Sequence, residues 1–278
     1  MLRLIIARHG QSEGDTKALV EGSADLPLTA TGRLQGRLLA ERVERDFRGE
    51  SAPAAVFASP LERARDIAQD IAARLRAPLF IDPRLAEIST GVMAGVSVAE
   101  AARRWPLPAR GHLAFERPPG GESEIDLYAR VAEFTLNLLD VTGEPFPGVW
   151  GRRTMRFAGE CESTRDLAPW EEDFKAAPRR PAVCLIAHGG SIGKLLWVLF
   201  GLPPNSQVRF PQGDTGLSEI IIGDGRVRVL RLNCQRHLPD ILRDPRERDI
   251  AAEDSRGVEE AVARHRQAAG RRGGPGHG

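Results

Sequence analysis

Two apolar runs in this chain end abruptly in histidine and glycine. Leu2-Arg3-Leu4-Ile5-Ile6-Ala7 opens into Arg8-His9-Gly10, and Ala182-Val183-Cys184-Leu185-Ile186-Ala187 opens into His188-Gly189-Gly190-Ser191. Short β-rich runs of this kind suit buried strands of an α/β sheet, which presents its ligands at the carboxyl ends of its strands. Glycines there, Gly189 among them, let backbone N–H groups approach an anion at a helix start. Two such corners in one sheet are expected to converge.

The intervening chain alternates as an α/β domain should. Thr29 to Gly32 leads into a helix with Leu34, Leu38, Leu39, Val43 and Phe47 on one face, and Ala54 to Ala58 forms a second strand ending at Ser59-Pro60. In the next helix Leu61, Ala64, Ala68, Ile71, Ala72 and Leu75 recur at three and four residues, which puts Arg63 in the first turn beside the strand end. Leu79 to Ile81 is a third strand, Leu85 to Ile88 leads into a loop punctuated by Gly91 and Gly95, and Val98 to Trp105 is a modest helix. Ser123 and Asp126 make a capping-box pattern for a helix carrying Tyr128, Val131, Thr135 and Leu138. Ser218–Ile222 and Arg226–Leu232, joined by Gly223-Asp224-Gly225, carry a strong hairpin signal. The expected fold class is α/β: a single domain with a mostly parallel sheet and helices on both faces.

Gly143 to Arg180 interrupts this order with Pro145, Pro147, Pro169 and Pro178 and no sustained periodicity. A stretch this long without periodicity is uncommon inside a compact domain and predicts a functional lid or a mobile excursion; as a lid it would present Arg152, Arg153 and Arg156 to an acidic substrate. Residues 1–238 are thus expected to be the catalytic domain with 143–180 as an atypical insertion, and 239–278 a charged, partly disordered tail.

With 39 basic and 38 acidic side chains the formal net charge is +1, which argues against nucleic acid or a membrane surface as a partner chosen by bulk electrostatics. Cys161, Cys184 and Cys234 show no metal-ligand spacing, and their odd number speaks against a disulfide framework. The sequence opens in its first strand pattern without a basic leader, and no apolar run approaches transmembrane length, so a cytoplasmic location is expected. Oligomeric state is not legible. No GxGxxG follows the first strand, which excludes the common dinucleotide-binding arrangement.

The strand ends together offer Arg8, His9, Ser59, Arg63 and His188, with Glu87 on a nearby loop. Two guanidiniums, two imidazoles and a glycine-lined helix start suit a compact dianion such as phosphate. Neighbouring arginines lower the pKa of His9 and keep a ring nitrogen free to attack, which would give a phosphohistidine. Ser59 is either a phosphate contact or a helix cap. Phosphoryl transfer needs positioning, cations and one proton donor, so no metal or other cofactor is expected.

Several motifs occur in order: Arg8-His9-Gly10-Gln11-Ser12, Asp25-Leu26-Pro27-Leu28-Thr29 through Gly32, Ser59 to Ala64, Glu87 before Gly91 and Gly95, Gly121-Glu122-Ser123, and His188-Gly189-Gly190. This set resembles the histidine phosphatase superfamily, in its phosphoglycerate-mutase-like, cofactor-independent phosphatase branch, from about Leu2 to Leu238. The resemblance implies that His9 is the nucleophile, Arg8 and Arg63 clamp the phosphate, His188 stabilises the transferring group and Glu87 protonates the leaving oxygen. It also implies a small phosphorylated metabolite as substrate.

The match has departures. Seven residues after its catalytic arginine the family usually places an asparagine facing the phosphate, whereas this chain has Asp15, which repels a dianion unless it is protonated or paired with arginine. Met93-Ala94 stands where Trp-Glu is usual. The first reading is therefore a phosphomonoesterase, with two alternatives: phosphoglycerate mutase-type transfer, disfavoured by the short loop after Glu87, or a weakened phosphate-binding module, kept open by Asp15. Glu13 and Glu122 compete with Glu87 as site carboxylates, and His112, His237, His265 and His277 are expected in loops, at the surface or in the tail.

Overall fold

The computed structural model describes residues 1–105, 114–144 and 182–243. All but the first two residues of the insertion expected at 143–180, with its arginines, the positions of His112, His265 and His277, and the tail beyond Arg243 lie outside the described residues.

The described strands β1 (Leu2–Arg8), β2 (Val56–Ala58), β3 (Leu79–Ile81), β4 (Ala182–Ala187), β5 (Leu217–Gly223) and β6 (Arg226–Cys234) form one six-stranded sheet in the order β3-β2-β4-β1-β5-β6. The first four are parallel, whereas β5 runs antiparallel to β1 and β6 antiparallel to β5. The α/β class with a mostly parallel sheet is therefore what the chain adopts. The described helices are α1 (Glu13–Lys17), α2 (Ala30–Asp46), α3 (Glu62–Leu75), α4 (Val98–Arg104), α5 (Glu124–Thr142) and α6 (Gly189–Leu199). Between Arg8-His9-Gly10 and α2 the chain forms the short α1, whose five residues are too few to show an apolar period.

Alternation along the strands builds two cores. Leu2, Leu4 and Ile6 of β1, with Val183 and Leu185 of β4, pack against Leu127, Val131, Phe134 and Leu138 of α5 and Leu195 and Leu196 of α6. Ile5 and Ala7, with Cys184 and Ile186, face the other way onto Leu39 and Val43 of α2 and Ile67, Ala68 and Ile71 of α3. A strand buried on both faces must be apolar throughout, as β4 is. Each large side chain so buried contributes about 1.5–3 kcal/mol of transfer free energy.

Caps fix where the helices begin. Thr29 Oγ1 accepts from Gly32 N–H, Ser123 and Asp126 cap α5 reciprocally, and the first turn of α3 is met from a distance by Asp25, whose Oδ1 accepts from Glu62 N–H at 2.7 Å. Gly32 is there for close approach, because a Cβ on it would lie 1.9 Å from the Gln11 carbonyl oxygen. In the β5–β6 hairpin Asp224 and Gly225 both have positive φ, 53° and 68°, matching the turn that suits twisted strands.

Met1–Leu238 forms one compact unit. The second unit begins at Pro239; its described part is the turn Asp240–Leu242, with Arg243 Nη1 2.7 Å from Asp240 Oδ1. Among the described residues no helix is long and apolar enough to cross a membrane.

Candidate active site

Register brings the reactive side chains together. Arg8 pairs with Ala187 across β1 and β4, His9 N–H donates to the Ala187 carbonyl at 3.0 Å, and Ser59 N–H donates to the Ile186 carbonyl at 3.1 Å. The carboxyl ends of β1, β2 and β4 therefore stop at one level, with His9, Ser59 and His188 side by side. The rings of His9 and His188 have centroids 5.0 Å apart.

Hydrogen bonding assigns the His9 tautomer from both sides. Its Nδ1 lies 2.7 Å from the Gly10 carbonyl oxygen and must donate to it, while Arg63 Nε–H donates to Nε2 at 3.3 Å. Since arginine keeps its protons, Nε2 holds the lone pair. Burial first, then the guanidiniums of Arg8 and Arg63, hold His9 well below the usual imidazole range, against the Gly10 carbonyl. The ring is thus an uncharged base among cations.

Arg63 is fully buried, unlike a surface ion pair, and its other nitrogens donate to backbone carbonyls: Nη1 to Ala24 at 2.7 Å and Nη2 to Gly22 at 2.8 Å. Burial lowers its pKa despite the opposing fields of Glu21, Glu87 and Asp25. Arg8 is held differently. Its Nη2 meets Asp15 Oδ1 at 3.3 Å, and its Nη1 meets the Gln212 carbonyl at 3.0 Å and Asp214 Oδ1 at 3.4 Å. Burial works to lower the Arg8 pKa, but Asp214, Asp15, Glu21 and Glu87 outweigh it and raise it.

Asp15 also completes a capping box for α1: its Oδ2 accepts from Ser12 N–H at 2.9 Å and from the Ser12 hydroxyl at 2.8 Å. Ser12 Oγ is in turn hydrogen-bonded to Glu21.

Ser59 reaches the site through the second histidine. Its hydroxyl lies 2.7 Å from His188 Nε2 and accepts from Leu61 N–H at 3.2 Å. Where the Ser59 hydroxyl donates to Nε2, His188 Nδ1 is the protonated nitrogen. That atom is buried and has no partner among the described residues. Burial, His9, Arg63 and Arg8 all lower the pKa of His188.

Glu87 is anchored by backbone. Its Oε2 accepts from Gly190 N–H at 2.8 Å and its Oε1 from Ile88 N–H at 2.8 Å. Burial raises its carboxyl above the usual range, against those two N–H groups and the fields of Arg63 and Arg8. Gly190 N–H is therefore spent on Glu87, and Gly189, one residue earlier, is left as the helix-start N–H beside His188. The competing carboxylates are engaged elsewhere: Glu13 pairs with Lys17 at 2.6 Å, and Glu122 with Arg130 at 2.8 Å.

A neutral imidazole with a directed lone pair, two guanidiniums, a second buried imidazole whose Nδ1 has no partner among the described residues, and a carboxyl with raised pKa form one constellation. Such a set can attack a phosphoryl group, hold its charge and protonate what leaves. Among the described residues no cluster of three or more His, Cys, Asp or Glu could hold a metal ion.

The model of the histidine phosphatase superfamily (branch 1) matches residues 4–144. A probable phosphoglycerate mutase from Serratia proteamaculans is 34% identical over 79% of this chain and 85% of its own length. This chain belongs to the histidine phosphatase superfamily. A glucosyl-3-phosphoglycerate phosphatase from Mycobacterium tuberculosis is 31% identical, over 72% of this chain and 76% of its own length. The native structure of the mycobacterial glucosyl-3-phosphoglycerate phosphatase superposes with a TM-score of 0.59 at 27% identity, covering 84% of this chain and 99% of that one.

For this histidine phosphatase the sequence did not single out Asp214, Gln212 or Glu21. All three sit in polar, glycine-punctuated loops, and the signal available was only the Gln212-Gly213-Asp214 loop leading into β5, the neighbour of β1. His237 lies in a turn, as expected, and is half-buried there between α2 and the residue that follows Asp214. Its Nδ1 lies 3.1 Å from Arg42 Nη1, and its Nε2 lies 3.0 Å from Thr215 Oγ1; Thr215 N–H in turn donates to the His9 carbonyl at 3.1 Å. A lone histidine near the end of a strand carries no trace of such a partner nearly two hundred residues away.

Proposed function

We propose that this protein hydrolyses a small phosphomonoester in two steps. His9 Nε2 attacks phosphorus, and the ester oxygen leaves with the proton of Glu87. Water then attacks the phosphohistidine, with Glu87 returning as base, to release inorganic phosphate. Arg8, Arg63, His188 Nδ1–H and Gly189 N–H hold the phosphoryl oxygens, and Ser59 sets the tautomer of His188.

The observation that carries this reading is the His9 tautomer: the Gly10 carbonyl fixes the proton on Nδ1 and leaves Nε2 as the nucleophile. An imidazole held neutral among cations needs no general base to activate it. The raised pKa of Glu87 supplies the matching acid. Asp15 is paired with Arg8, which meets the condition under which a carboxylate is tolerated beside a dianion and favours turnover over a weakened binding module.

The relatives supply two substrate candidates, glucosyl-3-phosphoglycerate and phosphoglycerate, and a second reading, phosphoryl return to a hydroxyl as in a mutase. The short connection from Glu87 to α4 favours release to water. A cytoplasmic site of action accompanies this reading.

Rapid-quench intact-mass measurement over a panel of phosphomonoesters including those two candidates tests it. A transient phosphate adduct is expected in the parent and none in His9→Ala, with inorganic phosphate as the product. Isomerised phosphoglycerate without net phosphate release would establish the mutase reading instead. Absence of both adduct and His9-dependent hydrolysis on every substrate would sink the enzyme reading.

A further inference from the structure

Glu87 lies on neither a helix nor a strand; it follows the turn Pro83–Leu85 and precedes the turn Gly91–Met93. An irregular segment has no ladder of its own to fix a carboxyl in place. Here the segment is held by one guanidinium from α5. Arg130 Nη1 donates to the carbonyls of Arg84 and Ala86, each at 2.8 Å, and Nη2 donates to the carbonyl of Glu87 at 3.0 Å. The remaining donors form a fork onto Glu122, Nε to Oε1 at 2.8 Å and Nη2 to Oε2 at 2.9 Å. All five N–H groups that a guanidinium possesses are therefore used.

Glu122 closes the brace from the other side. Its Oε2 accepts from Ser89 N–H at 2.8 Å, and its own N–H donates to the Ser89 carbonyl at 2.8 Å. One ion pair thus ties the backbone of residues 84, 86, 87 and 89, so that Glu87 is gripped on both flanks while its carboxylate points to Gly190. Lysine cannot reproduce this, because an ammonium has three donors and no planar fork.

We propose that Arg130 and Glu122 are positioning residues for proton donation by Glu87. The inference rests on Glu87 being the acid of the reaction above. Misplacing Glu87 by a fraction of its hydrogen-bond length slows the steps in which it moves a proton, and of these only departure of the leaving group differs between esters. Expulsion of an aryloxide proceeds without that proton, whereas expulsion of an alkoxide depends on it. A brace that merely stabilised the fold would affect both alike.

The test is the ratio of kcat/KM on p-nitrophenyl phosphate to kcat/KM on glycerol phosphate, which reports the steps up to departure of the leaving group, measured in the full-length protein. Glu87→Gln is expected to raise this ratio about a hundredfold and Arg130→Lys at least about tenfold. Glu122→Gln, which leaves the carbonyl contacts of Arg130 in place, is expected to raise it about threefold, and carries the test if Arg130→Lys does not fold. The double variant Arg130→Lys/Glu87→Gln should show no larger ratio than Glu87→Gln alone, since both act through one proton. An unchanged ratio in Arg130→Lys and Glu122→Gln, beside a raised ratio in Glu87→Gln, overturns the brace and leaves the acid standing. An unchanged ratio in Glu87→Gln overturns the acid, and the positioning role with it.

Discussion

Arg8 Nη2 and Asp15 Oδ1 stand 3.3 Å apart, so the guanidinium beside His9 is already paired before any phosphate arrives. Asp214 holds its other terminal nitrogen at 3.4 Å. A dianion approaching Arg8 therefore meets a cation whose field two carboxylates have partly cancelled.

Asp15→Asn isolates that effect. Asparagine can still accept from Ser12 N–H and so keeps the cap of α1, but it removes the charge. Inorganic phosphate and orthovanadate are expected to inhibit the variant about tenfold more tightly, about 1.4 kcal/mol, and KM is expected to fall with them. Weaker inhibition would mean that the Asp15 charge serves chiefly to orient Arg8.

Ser59→Ala removes the partner of His188 Nε2 without touching the phosphate clamps. The imidazole then loses the bond that sets its tautomer, and kcat should fall about tenfold or more with KM little changed. Steady-state kinetics on a good substrate decides it; a rise in KM alone would show that Ser59 holds substrate rather than His188.

Gly190 packs against Glu87 so closely that an added Cβ would lie 2.2 Å from Oε1. In Gly190→Ala the carboxyl must move, so turnover of alkyl esters should drop about a hundredfold. The lower backbone entropy of alanine, worth up to about 1 kcal/mol in a helix, offsets the disturbed Gly190 N–H bond to Glu87, so thermal stability should change little. Loss of stability alongside activity would assign the glycine a packing role instead.

The two site histidines make the fold sensitive to acid. Both have folded-state pKa values well below 6.5, so as pH falls below about 6.5 the unfolded chain takes up protons that the folded chain refuses. Stability is lost in that direction. Glu87, raised above 4.5, works with the opposite sign, binding its proton more readily when folded and so losing stability as pH rises through that range. Replacing His9 and His188 with glutamine should flatten the decline of Tm between pH 7 and pH 5, measured by differential scanning calorimetry. An equally steep decline would place the acid sensitivity elsewhere.

The shifted pKa values of His9 and Glu87 also shape activity. Because His9 is neutral throughout the physiological range, the alkaline limb of kcat/KM on an alkyl ester reports Glu87 giving up its proton. Glu87→Gln is expected to abolish that limb along with most of the rate.

The sequence by itself determined the sheet and its two reactive corners, because both depend on local pattern. Apolar runs such as Ala182–Ala187 suit buried strands, and each stops at a histidine followed by glycine, with α6 starting directly after His188. It also marked Arg63, since helical spacing places that residue in the first turn of α3. What only the tertiary structure decided were contacts between segments distant in sequence, which leave no period to read. Asp214 reaches Arg8 from beyond β4, Asp25 caps α3 from a separate loop, and Arg130 grips the Glu87 segment from α5. The role of Asp15 belongs to the same class. A carboxylate beside a phosphate site is a liability or a counterion according to where the nearest guanidinium lies, and that position follows from folding.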